Sequence, residues 1–183
     1  MKKIVNTIVF SITALLLYMP FTGRIYDFSV PRINGGTQSL SDYQGKRILV
    51  ITLPVEQSPA ADSLLYSLDT LGAARAQTLQ IIGVPAIEDG YTAGNNSALQ
   101  QWYFSKLGSH VLVTSGLYTR KASGSQQHPL FKWLTTASQN EVFDIDAEGP
   151  GFKFFTKQTG ELIGVLRPHT KVSSNAVQRT LQL

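Results

Sequence analysis

Two short apolar runs constrain this chain more than anything else in it. Residues 47–53 (RILVITL) and 79–84 (LQIIGV) are nearly continuous in Val, Ile and Leu, the pattern of strands covered on both faces rather than the alternation of a half-exposed one. The segment between them has helical spacing. Ser58-Pro59 reads as an N-cap with proline at the first helical position, and Ala61, Leu64, Leu65, Leu68 and Leu71 then share one helix face that ends near Gly72. Strands that are apolar on both sides need cover above and below, so this arrangement implies a layered α/β domain.

The remaining segments fit that frame. Residues 97–107 read as a helix, 110–114 as a third strand and 129–136 as a short helix. Residues 152–156 and 161–166, joined across Lys157-Gln158-Thr159-Gly160, read as a hairpin and supply the antiparallel part of the sheet. Ser173 or Ser174 caps a last helix that carries Ala176, Val177 and Leu181. The expectation is a central sheet of four or more strands with helices on both faces.

Ahead of the domain, Lys2 and Lys3 precede an apolar run over residues 4–19, broken only by Asn6, Thr7, Ser11 and Thr13 and closed by Pro20. A positive start and an apolar core make an export signal, and the run is short for a spanning helix. Residues 1–23 are therefore assigned to a signal peptide or retained membrane anchor, and residues 24–183 to one folded domain on the periplasmic or extracellular side. Lysine and arginine number 16 against 12 acids, with two of the lysines in the leader. That surplus is too slight to argue for nucleic acid as a partner. The chain has no cysteine, which excludes disulfides and thiolate metal sites.

Several short motifs occur in an order that is informative together. Tyr26-Asp27-Phe28-Ser29-Val30 is followed by Ser39-Leu40-Ser41-Asp42-Tyr43-Gln44-Gly45-Lys46 and the first buried strand. Ile82-Gly83-Val84-Pro85, His128-Pro129-Leu130-Phe131-Lys132-Trp133-Leu134 and Lys153-Phe154-Phe155 come next, with Gly160 and Pro168 beyond. In this order they resemble the glutathione peroxidases, a branch of the thioredoxin fold, from Tyr26 to the carboxyl terminus. The resemblance implies a thioredoxin-like central mixed sheet with helices on both faces. It also places Ile82-Gly83-Val84-Pro85 and Lys153-Phe154-Phe155 on neighbouring strands.

The same resemblance locates the redox tetrad, and every member is replaced. The peroxidatic cysteine or selenocysteine falls on Gln57, the catalytic glutamine on Glu88, and the tryptophan and asparagine of the terminal motif on Gly149 and Pro150. A resolving cysteine used by some members falls on Ala86. A carboxamide forms neither a sulfenic acid nor a mixed disulfide, so thiol peroxidase activity is not expected, and no cofactor is called for. Ser58 adjoins the nucleophile position, yet N-capping accounts for it without invoking a base and an oxyanion hole. His128 is read as structural, at the start of a surface helix, and His110 and His169 lack metal-ligand spacing.

Acidic residues gather near the emptied positions. Asp144-Ile145-Asp146-Ala147-Glu148-Gly149 imitates the start of a calcium loop, but Phe155 stands where the closing glutamate belongs. No metal is expected; a looser site on Asp144, Asp146 and Glu148 is the alternative to a solvated acidic edge. Glu56, Glu88, Asp144, Asp146 and Glu148 around one cleft would exchange an electropositive thiolate pocket for an acidic one suited to a cation. Two functions are compatible with these residues. One is a non-catalytic binding or interaction pseudoenzyme with an unidentified protein or small-molecule partner. The other is an enzyme, either a peroxide-reducing oxidoreductase by family assignment or new chemistry using Glu88 and the nearby acids.

Overall fold

The computed structural model describes residues 23–92 and 97–182. The leader assigned to residues 1–23 thus lies, but for Gly23, outside the described residues. A short antiparallel pair, β1 (Ser29–Pro31) and β2 (Thr37–Ser39), opens the domain. Next come β3 (Arg47–Leu53), α1 (Pro59–Ala74), β4 (Leu79–Pro85), α2 (Ser97–Lys106) and β5 (Val111–Val113). The chain ends with α3 (Pro129–Thr135), α4 (Ala137–Asn140), β6 (Lys153–Thr156), β7 (Leu162–Leu166) and α5 (Asn175–Thr180).

The five-stranded sheet has the order β5-β4-β3-β6-β7. β3 and β4 run parallel in unbroken register from Arg47 opposite Leu79 to Leu53 opposite Pro85, and β6 and β7 complete the sheet as an antiparallel hairpin. One expectation is corrected here. β4, which carries Ile82-Gly83-Val84-Pro85, and β6, which carries Lys153-Phe154-Phe155, are not neighbours but flank β3 on its two sides. β3 is paired on both edges by β4 and β6 and covered on both faces, and Ile48–Leu53 is accordingly buried throughout.

Alternation along the strands divides the core in two. Leu49, Ile51 and Leu53 join Ile81 and Phe155 on one face, beneath α1, α2 and α5. Ile48 and Val50 join Ile82, Val84 and Phe154 on the other, beneath α3 and the opening residues Ile25 to Leu40. Helix starts obey local chemistry: Ser58 Oγ accepts the Ala61 N–H at 3.1 Å and Ser174 Oγ accepts the Val177 N–H at 3.4 Å. α1 runs two residues beyond Gly72 and closes when the Arg75 N–H bonds the carbonyls of Leu71 and Gly72.

Candidate functional site

Strand register brings Gln57, Glu88, Gly149 and Pro150, the positions to which the resemblance assigns the tetrad, to one end of the sheet. Leu53 lies opposite Pro85, and Ile51 opposite Lys153. Gln57 comes after the end of β3, Glu88 after the end of β4, and Gly149 with Pro150 precede β6, so all four sit within a few residues of the same edge. Glu56, Gln57 and Pro150 are exposed, while Glu88 is half-buried. A carboxamide therefore faces solvent just before α1, next to a serine already engaged as its cap.

Glu88 does not present a bare carboxylate to that edge. It accepts the N–H groups of Thr119 and Arg120, each at 2.9 Å, and the Ser123 hydroxyl at 2.6 Å. Burial pushes its pKa up, but the Ser123 and backbone hydrogen bonds outweigh that and hold it below the usual glutamate value. The neighbouring Asp89 pairs with Arg120. Burial raises Asp89 above its usual range; Arg120 opposes the shift and Glu88 adds to it.

The later acids fasten the same segment from its other side. Asp146 Oδ1 accepts the N–H of Lys121 at 3.0 Å and that of Ala147 at 2.9 Å, and Asp144 pairs with the Lys121 ammonium, which lowers the Asp144 pKa. Residues 119–123 are thus held by Glu88, Asp89, Asp144 and Asp146, with Arg120 and Lys121 as internal counter-ions. Glu56 and Glu148 are exposed. Among the described residues no group of three or more His, Cys, Asp or Glu side chains is placed to hold a metal ion.

The loop before β6 is fixed by polar groups that the sequence did not flag. Thr52 Oγ1 donates to the Gly149 carbonyl at 2.7 Å and accepts the Phe152 N–H at 2.9 Å, while the Thr52 carbonyl accepts the Gly151 N–H at 2.7 Å. Lys153 is fully buried and its ammonium donates to the Gly151 carbonyl at 2.6 Å; burial pulls its pKa down to about 8. The available signal was a threonine inside RILVITL and a lysine opening an apolar strand. Gly149 adopts φ 75°, a left-handed conformation that disfavours any residue with a side chain, although a Cβ there would meet only open space.

The histidines act locally. His128 Nδ1 accepts the Leu130 N–H at 3.3 Å as the cap of α3, and burial lowers its pKa. His110 Nε2 lies 2.9 Å from Asp69 Oδ1, beyond the opposite end of the sheet. With no thiol present, the edge of the sheet offers hydrogen-bonding and ionic contacts.

A parallel β3–β4 pair extended by an antiparallel hairpin, with helices on both faces, is a thioredoxin-like fold. The crystal structure of T. cruzi GPX1 superposes with a TM-score of 0.63 at 16% identity, covering 87% of this chain and 95% of that one. No family model matches. Over 150 residues the chain is 27% identical to a glutathione peroxidase of Lactococcus lactis subsp. cremoris, covering 74% of this chain and 91% of the relative. Over 149 residues it is 28% identical to probable glutathione peroxidase 2 of Arabidopsis thaliana, covering 80% and 85%. Over most of its length the chain is thus similar to glutathione peroxidases.

Proposed function

We propose that this chain is an exported member of the family that binds rather than catalyses. The observation that carries the reading is at the nucleophile position: an exposed carboxamide, Gln57, in a chain without cysteine. No side chain here can take up an oxidised intermediate and be re-reduced by a thiol. Glu88 supports the same reading, because its carboxylate is committed to Thr119, Arg120 and Ser123. The names of the relatives favour peroxide reduction instead, but that reaction needs an electron carrier these residues do not supply. The exposed Glu56 and Glu148 suit a basic partner, while Asp144 is already paired with Lys121. Export rests on Lys2, Lys3 and the apolar residues 4–19.

Activity is tested by mixing the purified chain with hydrogen peroxide or an organic hydroperoxide and either glutathione or thioredoxin. No consumption above buffer is expected. Turnover that one substitution in this chain abolishes would overturn the reading. Fractionation of the full chain in cells, with sequencing of its mature amino terminus, tests export separately.

A further inference from the structure

The two outer strands of the sheet are finished differently. Beside β5, residues 31–33 supply a further run of backbone: the Ile33 N–H bonds the Val113 carbonyl and the Ser115 N–H bonds the Pro31 carbonyl, each at 3.0 Å. Among the described residues no segment pairs with the outer edge of β7. The direction of its backbone groups follows from β6. The Thr52 N–H bonds the Phe152 carbonyl at 3.0 Å and the Lys157 N–H bonds the Glu161 carbonyl at 2.9 Å, so alternation turns Phe154 toward β3 but Lys153 and Phe155 toward β7. Their partners in register are Leu166 and Gly164. Val165, between those two, therefore points its N–H and carbonyl away from the sheet.

An open edge is a template for another strand, and proteins usually blunt it with charge or proline. Residues 162–166, Leu-Ile-Gly-Val-Leu, contain neither, and Ile163, Gly164, Val165 and Leu166 are all half-buried. The one irregularity, a register shift opposite Phe155 and Thr156, lies toward the start of the strand. Charge is confined to the two ends. Glu161 precedes the strand, Arg167, His169 and Lys171 follow it, and no acid occurs after Glu161. Glu161 is shared with Arg24 at 3.8 Å, whereas Arg167 is exposed and has no ion pair among the described residues.

We propose that β7 pairs antiparallel with β7 of a second copy of this chain, joining two sheets into one across a twofold axis at Val165. A strand with an acid at one end and bases at the other complements itself when the second copy runs the opposite way. Each Glu161 then falls beside Arg167 and His169 of the other copy, whereas a parallel pair would set like charges together. The faces agree as well. An axis at Val165 places Gly164 opposite Leu166, and both lie on the α5 side of the sheet: a Cβ at Gly164 would meet Thr180, and Leu166 packs against the core on that face. Glycine opposite leucine leaves room for the larger side chain. The pairing is independent of any reading of Gln57 or Glu88.

The test is sedimentation equilibrium of the full chain from micromolar to millimolar concentration, in a density-matched detergent so that the apolar residues 4–19 do not themselves drive association. A monomer–dimer equilibrium is expected. Val165→Pro removes the outward N–H at an edge position that tolerates proline, and it should weaken the dimer by roughly tenfold or more. Glu161→Arg and Arg167→Glu each set like charges across the twofold and should each weaken it, while the two together should restore it. Loss of the Arg24 contact within one copy is common to Glu161→Arg and the double variant, so restoration reports the contact between copies. The charge variants change surface side chains and decide the matter even where the proline variant fails to fold. A monomer at every concentration overturns the proposal. A dimer that a folded Val165→Pro leaves unchanged, or a double variant no tighter than the single ones, overturns it as well.

Discussion

The interior of the β3–β4 pair and the loops at its carboxyl end differ in what their residues depend on. All seven residues of β4 and all but Arg47 of β3 are buried, and the two strands match over seven consecutive pairs. A few residues further along, Glu56 and Gln57 are exposed and Glu88 is half-buried against a neighbouring segment. Interior residues are specified by one another through packing, whereas the loop positions answer to solvent or to a few polar contacts. A family can therefore keep its scaffold while exchanging its chemistry. The Glu88 carboxylate, at the position the resemblance assigns to a catalytic glutamine, holds residues 119–123 together.

The contrast is sharpest at Phe154. It is fully buried, with Phe131 and Phe152 ring centroids at 6.1 and 5.4 Å. Phe154→Ala is expected to cost about 3–5 kcal/mol, read as a lower urea midpoint with an unchanged slope. A loss under about 1 kcal/mol would place this core among the easily repacked ones and break the comparison.

Glu88→Gln is expected to cost less, about 1–3 kcal/mol, because it removes a charged acceptor from donors that are only partly buried. The pH dependence has a definite sign. A carboxyl whose pKa is lowered on folding adds stability that is complete above the ordinary glutamate range and is lost as pH falls through the lowered value. Thermal melts from neutral pH into acid should therefore fall more steeply for the wild type than for Glu88→Gln. Parallel curves would mean that the Glu88 contacts to residues 119–123 contribute nothing in solution.

What was legible in the sequence was local. The runs 47–53 and 79–84, the Ser58-Pro59 start and the turn after Lys157 each carry their signal within a few residues, and each lies within a residue or two of its expected place. The position of β3 between β4 and β6 was not legible, because strand order depends on which edges remain free after long connections have closed. The partners of Glu88 lie 31 to 35 residues away, and Thr52 meets Phe152 across 100 residues. No periodicity encodes such pairings. The tetrad positions could be placed only through the family resemblance, and their new contacts only through the fold.

Ser58 lies on the border between the two regions. Its hydroxyl accepts the Ala61 N–H, so Ser58→Ala should cost about 1 kcal/mol and Ser58→Gly only a few tenths, measured by denaturant unfolding. A nucleophilic role would instead leave stability unchanged in both variants and abolish some activity. Equal losses in both variants would show that the cap is not what the serine contributes.

Gln57→Cys gives the smallest expected effect on stability and the most direct test of the comparison. The side chain is exposed, so the change should stay within about 0.5 kcal/mol. It also introduces the chain's one thiol, which makes every later reaction assignable to it. The start of α1 favours the thiolate, but the neighbouring positions give little else: Glu88 is an acid engaged elsewhere, and Gly149 and Pro150 have no side-chain donor. Alkylation of the introduced thiol should therefore be somewhat faster than that of free cysteine at neutral pH, while peroxide consumption with glutathione remains close to that of a simple thiol. Rapid, saturable peroxide turnover would show that the edge of the sheet still supports the chemistry, and that loss of the thiol alone separates this chain from its relatives.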